Sequence, residues 1–124
     1  MIGEIKNARQ VPGEGKRRWF RDDDFDLIVW YGTQDIISGF QLCYDKHSRE
    51  KCLTWRAKDG FRNFYQHDAI DDGETPGHSK MTPILVPDGI FKKERVSKLF
   101  ERNSGKIDID IAEFVLKKIR EYEV

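Results

Sequence analysis

Residues 25–64 read FDLIVWYGTQDIISGFQLCYDKHSREKCLTWRAKDGFRNF, and the spacing of apolar residues in this stretch decides the fold. Phe25 to Tyr31 is rich in β-branched and aromatic residues, the composition of a pleated, half-buried strand. Gly32-Thr33-Gln34-Asp35 turns the chain into a second strand from Ile36 to Asp45. The polar loop Lys46 to Glu50 leads to a third strand, Lys51 to Ala57. Asp59-Gly60 is a hairpin signal, because both residues tolerate positive φ in a type I′ turn. The fourth strand then runs from Phe61 to about His67.

Registers follow from the turns. A two-residue Asp59-Gly60 loop pairs Lys58 with Phe61, Trp55 with Phe64 and Cys52 with His67. In the preceding hairpin Cys43 opposite Cys52 separates the faces best, and the first hairpin closes with Tyr31 opposite Ile36. One face then holds Phe25, Leu27, Val29, Tyr31, Ile36, Phe40, Leu42, Tyr44, Leu53, Trp55 and Phe64, which makes it the core face. The other is mixed: Asp26, Ile28, Trp30, Ile37, Gly39, Gln41, Cys43, Cys52, Thr54, Arg56, Asn63, Tyr65 and His67. A slip of one residue exchanges the faces of a strand.

The flanks complete an α+β architecture. Residues 1–15, with the turn Val11 to Gly15, read as a flexible lead-in, and Lys16 to Arg21 as a strand ending at Asp22-Asp23-Asp24. Residues 68–89 form a long acidic loop containing Gly and Pro. Within it Met81 to Val86 suits only a short edge strand, given Pro83 and Pro87. Helices are expected over Ile90 to Arg102, capped by Asp88, and over Ile111 to Tyr122. Gly105 suits a left-handed cap, and Asp110 with Glu113 matches a capping box. The expected fold is one α+β domain over 1–124: an antiparallel β-meander of four to five strands with two C-terminal helices packed on one face.

Composition narrows the function. Lys+Arg and Asp+Glu both number 22, so the net charge supplies no nucleic-acid footprint. No signal peptide is legible at the N-terminus, and the longest apolar run is too short to span a membrane. With two cysteines, a cytoplasmic protein with free thiols is expected.

Most motifs fail on inspection. Aligned on Gly105 as the sixth position, an EF-hand loop would place Phe100, Arg102 and Ser104 at ligand positions and Ile111 where a bidentate Glu is needed. Gly13-Glu14-Gly15-Lys16 has Gln10 in place of the first P-loop glycine and Arg17 after the lysine. Asp22-Asp23-Asp24 reads as a solvated turn. Cys43 and Cys52 read as buried thiols, and a nucleophilic Cys52 served by His67 is the sharper alternative. No cofactor is indicated.

Two functional readings remain. The first is a non-enzymatic module that binds a protein or small ligand through the mixed face around Trp30 and the 68–80 loop. Its ligand-binding residues would be Trp30, Gln41, Arg56, Tyr65 and His67, with self-association through Phe114 as a further partner mode. The alternative is a small metal-dependent or acid–base hydrolase using His67, Asp71, Asp72, Glu74 and His78, since histidine with carboxylates suits transition metals. Arg17, Arg18 and Arg21, like the lysines between Lys92 and Lys106, read as solvated charge, which argues against nucleic acid. A membrane is not expected as a partner.

Overall fold

Stretches rich in β-branched and aromatic residues form strands, and the two amphipathic stretches near the C-terminus form helices. The computed structural model describes residues 1–10, 12, 15–47, 49–58, 62–71, 84–87 and 91–122. Its strands are β1 (Gly3–Ile5), β2 (Arg17–Arg21), β3 (Asp26–Tyr31), β4 (Ile37–Tyr44), β5 (Lys51–Lys58), β6 (Arg62–Asp71) and β7 (Ile84–Pro87). Helices α1 (Lys93–Asn103) and α2 (Ile109–Glu121) follow. The strands form one seven-stranded sheet in sequential order, each antiparallel to its neighbour. The α+β meander expected from the sequence is therefore present, with more strands than the four or five anticipated.

Both helices cover the same face. Along it run the cross-strand rows Phe20–Leu27–Leu42–Leu53–His67 and Val29–Phe40–Trp55–Tyr65. Phe100 of α1 meets Phe25 edge-on with ring centroids 5.9 Å apart, and Phe114 of α2 meets Trp55 at 5.2 Å. Tyr65 donates its hydroxyl to the Lys118 carbonyl at 2.9 Å. Burial pushes the Tyr65 phenol up to about 12, with Glu121 adding to the shift. Phe114 is half-buried in this layer, so the side chain expected to mediate self-association packs inside the protomer.

Three features depart from the expected faces. A β-bulge pairs Tyr31 with Ile37 and Trp30 with Gly39, leaving Ser38 as the extra residue. Ile37 therefore packs against the core, while Ile36 is 62% exposed. The β5–β6 hairpin pairs Lys58 with Arg62, so three residues, not two, separate the last pair. That single residue turns β6 over: Tyr65 and His67 join the helix-covered face, and Phe64 takes the register position opposite Arg56 on the other. The third departure is covalent. Cys43 and Cys52 lie opposite one another, as the register required, but are joined as a disulfide rather than standing as free thiols.

The N-terminus is structured where a flexible lead-in was expected. β1 pairs with β2, Ile2 is fully buried in the core, and its amide donates to the Asn103 carbonyl at 3.0 Å. Residues 68–71 of the expected loop extend β6. Residues 72–83 and 88–90, with the expected cap Asp88, lie outside the described residues.

The helix ends also differ from expectation. Asp108, not Asp110, occupies the N-cap of α2. Its carboxylate is engaged by Arg18 at 2.9 Å, and its backbone carbonyl accepts from the Ile111 amide. Gly105 is absent from the positive-φ residues. The carbonyls at the end of α1 are instead met by side chains, Asn103 to Leu99 and Ser104 to Glu101.

The bidentate pair of Arg95 with Asp45 (3.1 and 2.8 Å) ties α1 to the end of β4. Hydrogen bonding from Arg95 holds the Asp45 carboxyl below the usual carboxylate range. A depressed folded-state value means the contribution is present above the unfolded aspartate value and lost as pH falls through the folded one. The guanidinium side chain is 50% exposed, so solvent screening limits the pair. Arg95→Gln should cost about 0.5–1 kcal/mol at neutral pH, and the gap should close as pH falls through the lowered Asp45 value. Urea unfolding of both proteins across that range checks this, and an unchanged gap in acid would refute it.

Candidate functional site

The sheet face turned away from the helices is where the sequence placed its ligand-binding residues. Two rows organise its centre: Ile5–Trp19–Ile28–Gln41–Thr54–Gln66 and Arg17–Trp30–Gly39–Arg56. Trp19, Ile28, Trp30, Gln41 and Arg17 are half-buried, and Arg21, Arg56 and Gln66 are exposed.

Trp30 is fixed from both sides. Gly39, its cross-strand partner, leaves room for the indole: a Cβ there would lie 3.3 Å from Trp30 Cε3 and only 2.8 Å from the Trp55 carbonyl oxygen. The Arg56 guanidinium stacks over the same indole at 4.1 Å. A second pair repeats the pattern, with Arg21 over Trp19 at 5.2 Å. Arg21 also bonds Asp26, and the Trp19 indole N–H is buried with no hydrogen-bond partner among the described residues. Gln41 donates to the Thr54 hydroxyl at 3.1 Å.

Next to this face, along β1 and β2, an open groove of about 570 Å³ is lined by Ile5, Lys6, Lys16, Arg17 and Arg18, among others. Gln10 shapes its wall: its side-chain amide accepts from the Arg17 N–H and donates to the Arg17 carbonyl, standing in for a paired strand. Glu4 is the acid in the groove and is already engaged by two of the three guanidinium nitrogens of Arg18, which lowers its pKa.

At the other end of the face lies the row Arg21–Asp26–Cys43–Cys52–Asp68. Cys52 and Asp68 are fully buried and Cys43 is 8% exposed. Nearby, burial and then the Asp26 charge push the Glu50 carboxyl above its usual range.

Of the five expected ligand-binding residues, the structure brings Trp30, Gln41 and Arg56 together. Tyr65 and His67 stand on the opposite, helix-covered face. His67 Nε2 is 2.5 Å from the Tyr44 hydroxyl, and the ring packs against Phe91. Only two residues of the hydrolase reading, His67 and Asp71, are among those described. Asp72, Glu74 and His78 lie outside the described residues, Asp71 ends β6, and His67 faces the core. Among the described residues no three His, Cys, Asp or Glu side chains converge as a metal site, and no helix is long and apolar enough to cross a membrane.

Sequence reasoning missed Arg17, Arg21 and Trp19 as members of this face. Their signal was present: Arg17, Trp19 and Arg21 alternate along one strand, so they share a side. Compared with known proteins, the chain matches no family model, no curated protein and no solved structure.

Proposed function

We propose that this protein is a non-enzymatic binding module that receives an acidic segment of a partner protein across the sheet face around Trp30. The observation that carries this reading is the grouping of Arg17, Arg21 and Arg56 with Trp19 and Trp30 on the sheet face turned away from the helices. Tryptophan and arginine dominate the energetic centres of protein interfaces, whereas lysine is depleted there. The adjoining groove adds Lys6 and Lys16, so the charge is complementary to an acidic chain.

Other occupants fit less well. Small ligands favour enclosed apolar pockets, and the groove beside this face is open and lined by Lys6, Lys16, Arg17 and Arg18. Single-stranded nucleic acid needs free aromatic faces for base stacking, but the Trp30 indole is already bounded by Gly39 and Arg56. The 68–80 loop lies mostly outside the described residues and is not included in this surface.

The test uses two labelled probes: a peptide alternating glutamate with leucine, and a short oligothymidylate. Fluorescence anisotropy at low salt should show the acidic peptide binding and weakening as salt rises. Trp30→Ala and Arg56→Glu should each raise its Kd about tenfold. Binding of the oligonucleotide alone would reassign the face to nucleic acid. Failure of both probes to bind would remove the proposal.

A further inference from the structure

The Cys43–Cys52 bond sits between two hydrogen-bond acceptors that it cannot serve. On one side Asp68, directly opposite Cys52 and fully buried, has neither carboxylate oxygen hydrogen-bonded among the described residues. On the other, Gln41 Oε1 lies 3.9 Å from Cys43 Sγ. The orientation of that amide is set by its NH₂ group, which donates to Thr54. Cross-strand partners in an antiparallel pair share a face, so the Asp68 carboxylate and the Cys52 sulfur are neighbours. A buried carboxylate with no donor is costly, and a native structure that keeps one calls for an explanation.

Two donors would satisfy both acceptors: the thiols of the reduced pair. A thiol is a donor, and a disulfide sulfur is not. We propose that Cys43 and Cys52 form a redox-active couple that exchanges with small-molecule thiols, with Asp68 and Gln41 placed to accept hydrogen bonds from the reduced thiols. The couple lies at one end of the same sheet face, but the exchange does not require that anything bind there.

The exchange balances as follows. A thiolate of the reductant attacks the Sγ of Cys43, the more exposed residue of the pair, forming a mixed disulfide and breaking the Cys43–Cys52 bond. The Cys52 sulfur leaves with the bonding electron pair, takes up a proton and donates its S–H to Asp68. A second reductant thiolate attacks the reductant sulfur of the mixed disulfide. Cys43 departs, is protonated and donates to Gln41 Oε1. Two electrons and two protons pass from two thiols to the protein, and the reductant leaves as its own disulfide. In a cytoplasmic setting, the expectation from the sequence, the dithiol would be the resting form.

Equilibration of the whole protein in glutathione buffers, with alkylation and mass spectrometry counting free thiols, tests this. The wild type should convert largely to the dithiol in predominantly reduced glutathione and keep its far-ultraviolet circular dichroism. A purely structural disulfide resists that buffer. Asp68→Asn replaces a carboxyl acceptor with an amide and should shift the equilibrium about tenfold toward the disulfide, about 30 mV. Gln41→Met, at a half-buried position, should shift it in the same direction by less, and it reports even if the Asp68 variant does not fold. A wild type that stays oxidised overturns the proposal, as does a folded pair of variants that titrate with the wild type.

Discussion

Replacing Gly39 with alanine is expected to destabilise the protein by about 2–3 kcal/mol, as for overpacking a well-filled site. The added Cβ would sit 2.8 Å from the Trp55 carbonyl oxygen, a backbone atom held in the β4–β5 ladder that cannot swing aside. It would also press on Arg56 Cγ at 3.2 Å and Trp30 Cε3 at 3.3 Å. Relief requires β4 and β5 to separate or the Trp30 indole to leave its slot. Either movement disturbs the proposed binding face, so acidic-peptide affinity should fall with stability. Urea unfolding followed by tryptophan fluorescence measures the first effect, and anisotropy the second. Wild-type stability in Gly39→Ala would show that the strands yield more easily than the ladder implies.

A larger loss, about 3–5 kcal/mol, is expected for Phe100→Ala. Phe100 is fully buried in α1 and meets Phe25 edge-on, so its ring joins the helical layer to the start of β3. Its removal forfeits the transfer energy of a benzyl group and leaves a void that rigid neighbours fill only in part. α1 also carries Arg95, whose pair with Asp45 is a surface contact too weak to replace that packing. Thermal and urea unfolding of the variant give the number. A loss near 1 kcal/mol would mean that the core collapses around the gap.

Much of the sheet was legible because residues 25–57 obey period-two alternation strongly enough to fix faces and, through Cys43 and Cys52, one register. What escaped reading depended on single residues. Ser38 adds a bulge that alternation cannot foresee, moving Ile36 to solvent and Ile37 to the core. One further residue between β5 and β6 carries His67 from a candidate site into a buried contact with Tyr44. A strand of three residues, Gly3–Ile5, is too short to show any period, so the anchoring of Ile2 was invisible.

The site was legible in part for the same reason. Trp30, Gln41 and Arg56 were found because their faces on β3, β4 and β5 were assigned correctly. Closing the first hairpin with Tyr31 opposite Ile36 nevertheless set β3 two residues out of register with β4. Arg17, Trp19 and Arg21 lay on a strand whose register had not been assigned. The acceptors beside Cys43 and Cys52 had no sequence signature, since they arise from three strands meeting across the sheet.

The stacking of Arg56 on Trp30 bears on the entropy of association. An arginine free in solution samples many rotamers, and ordering such a side chain at an interface costs about 0.5–1.5 kcal/mol. Here the guanidinium already rests on an indole that is itself held over Gly39. The freedom that binding would take away is largely gone in the unbound protein. A partner meeting this face finds its central cation preorganised, so a modest contact area can yield a measurable affinity.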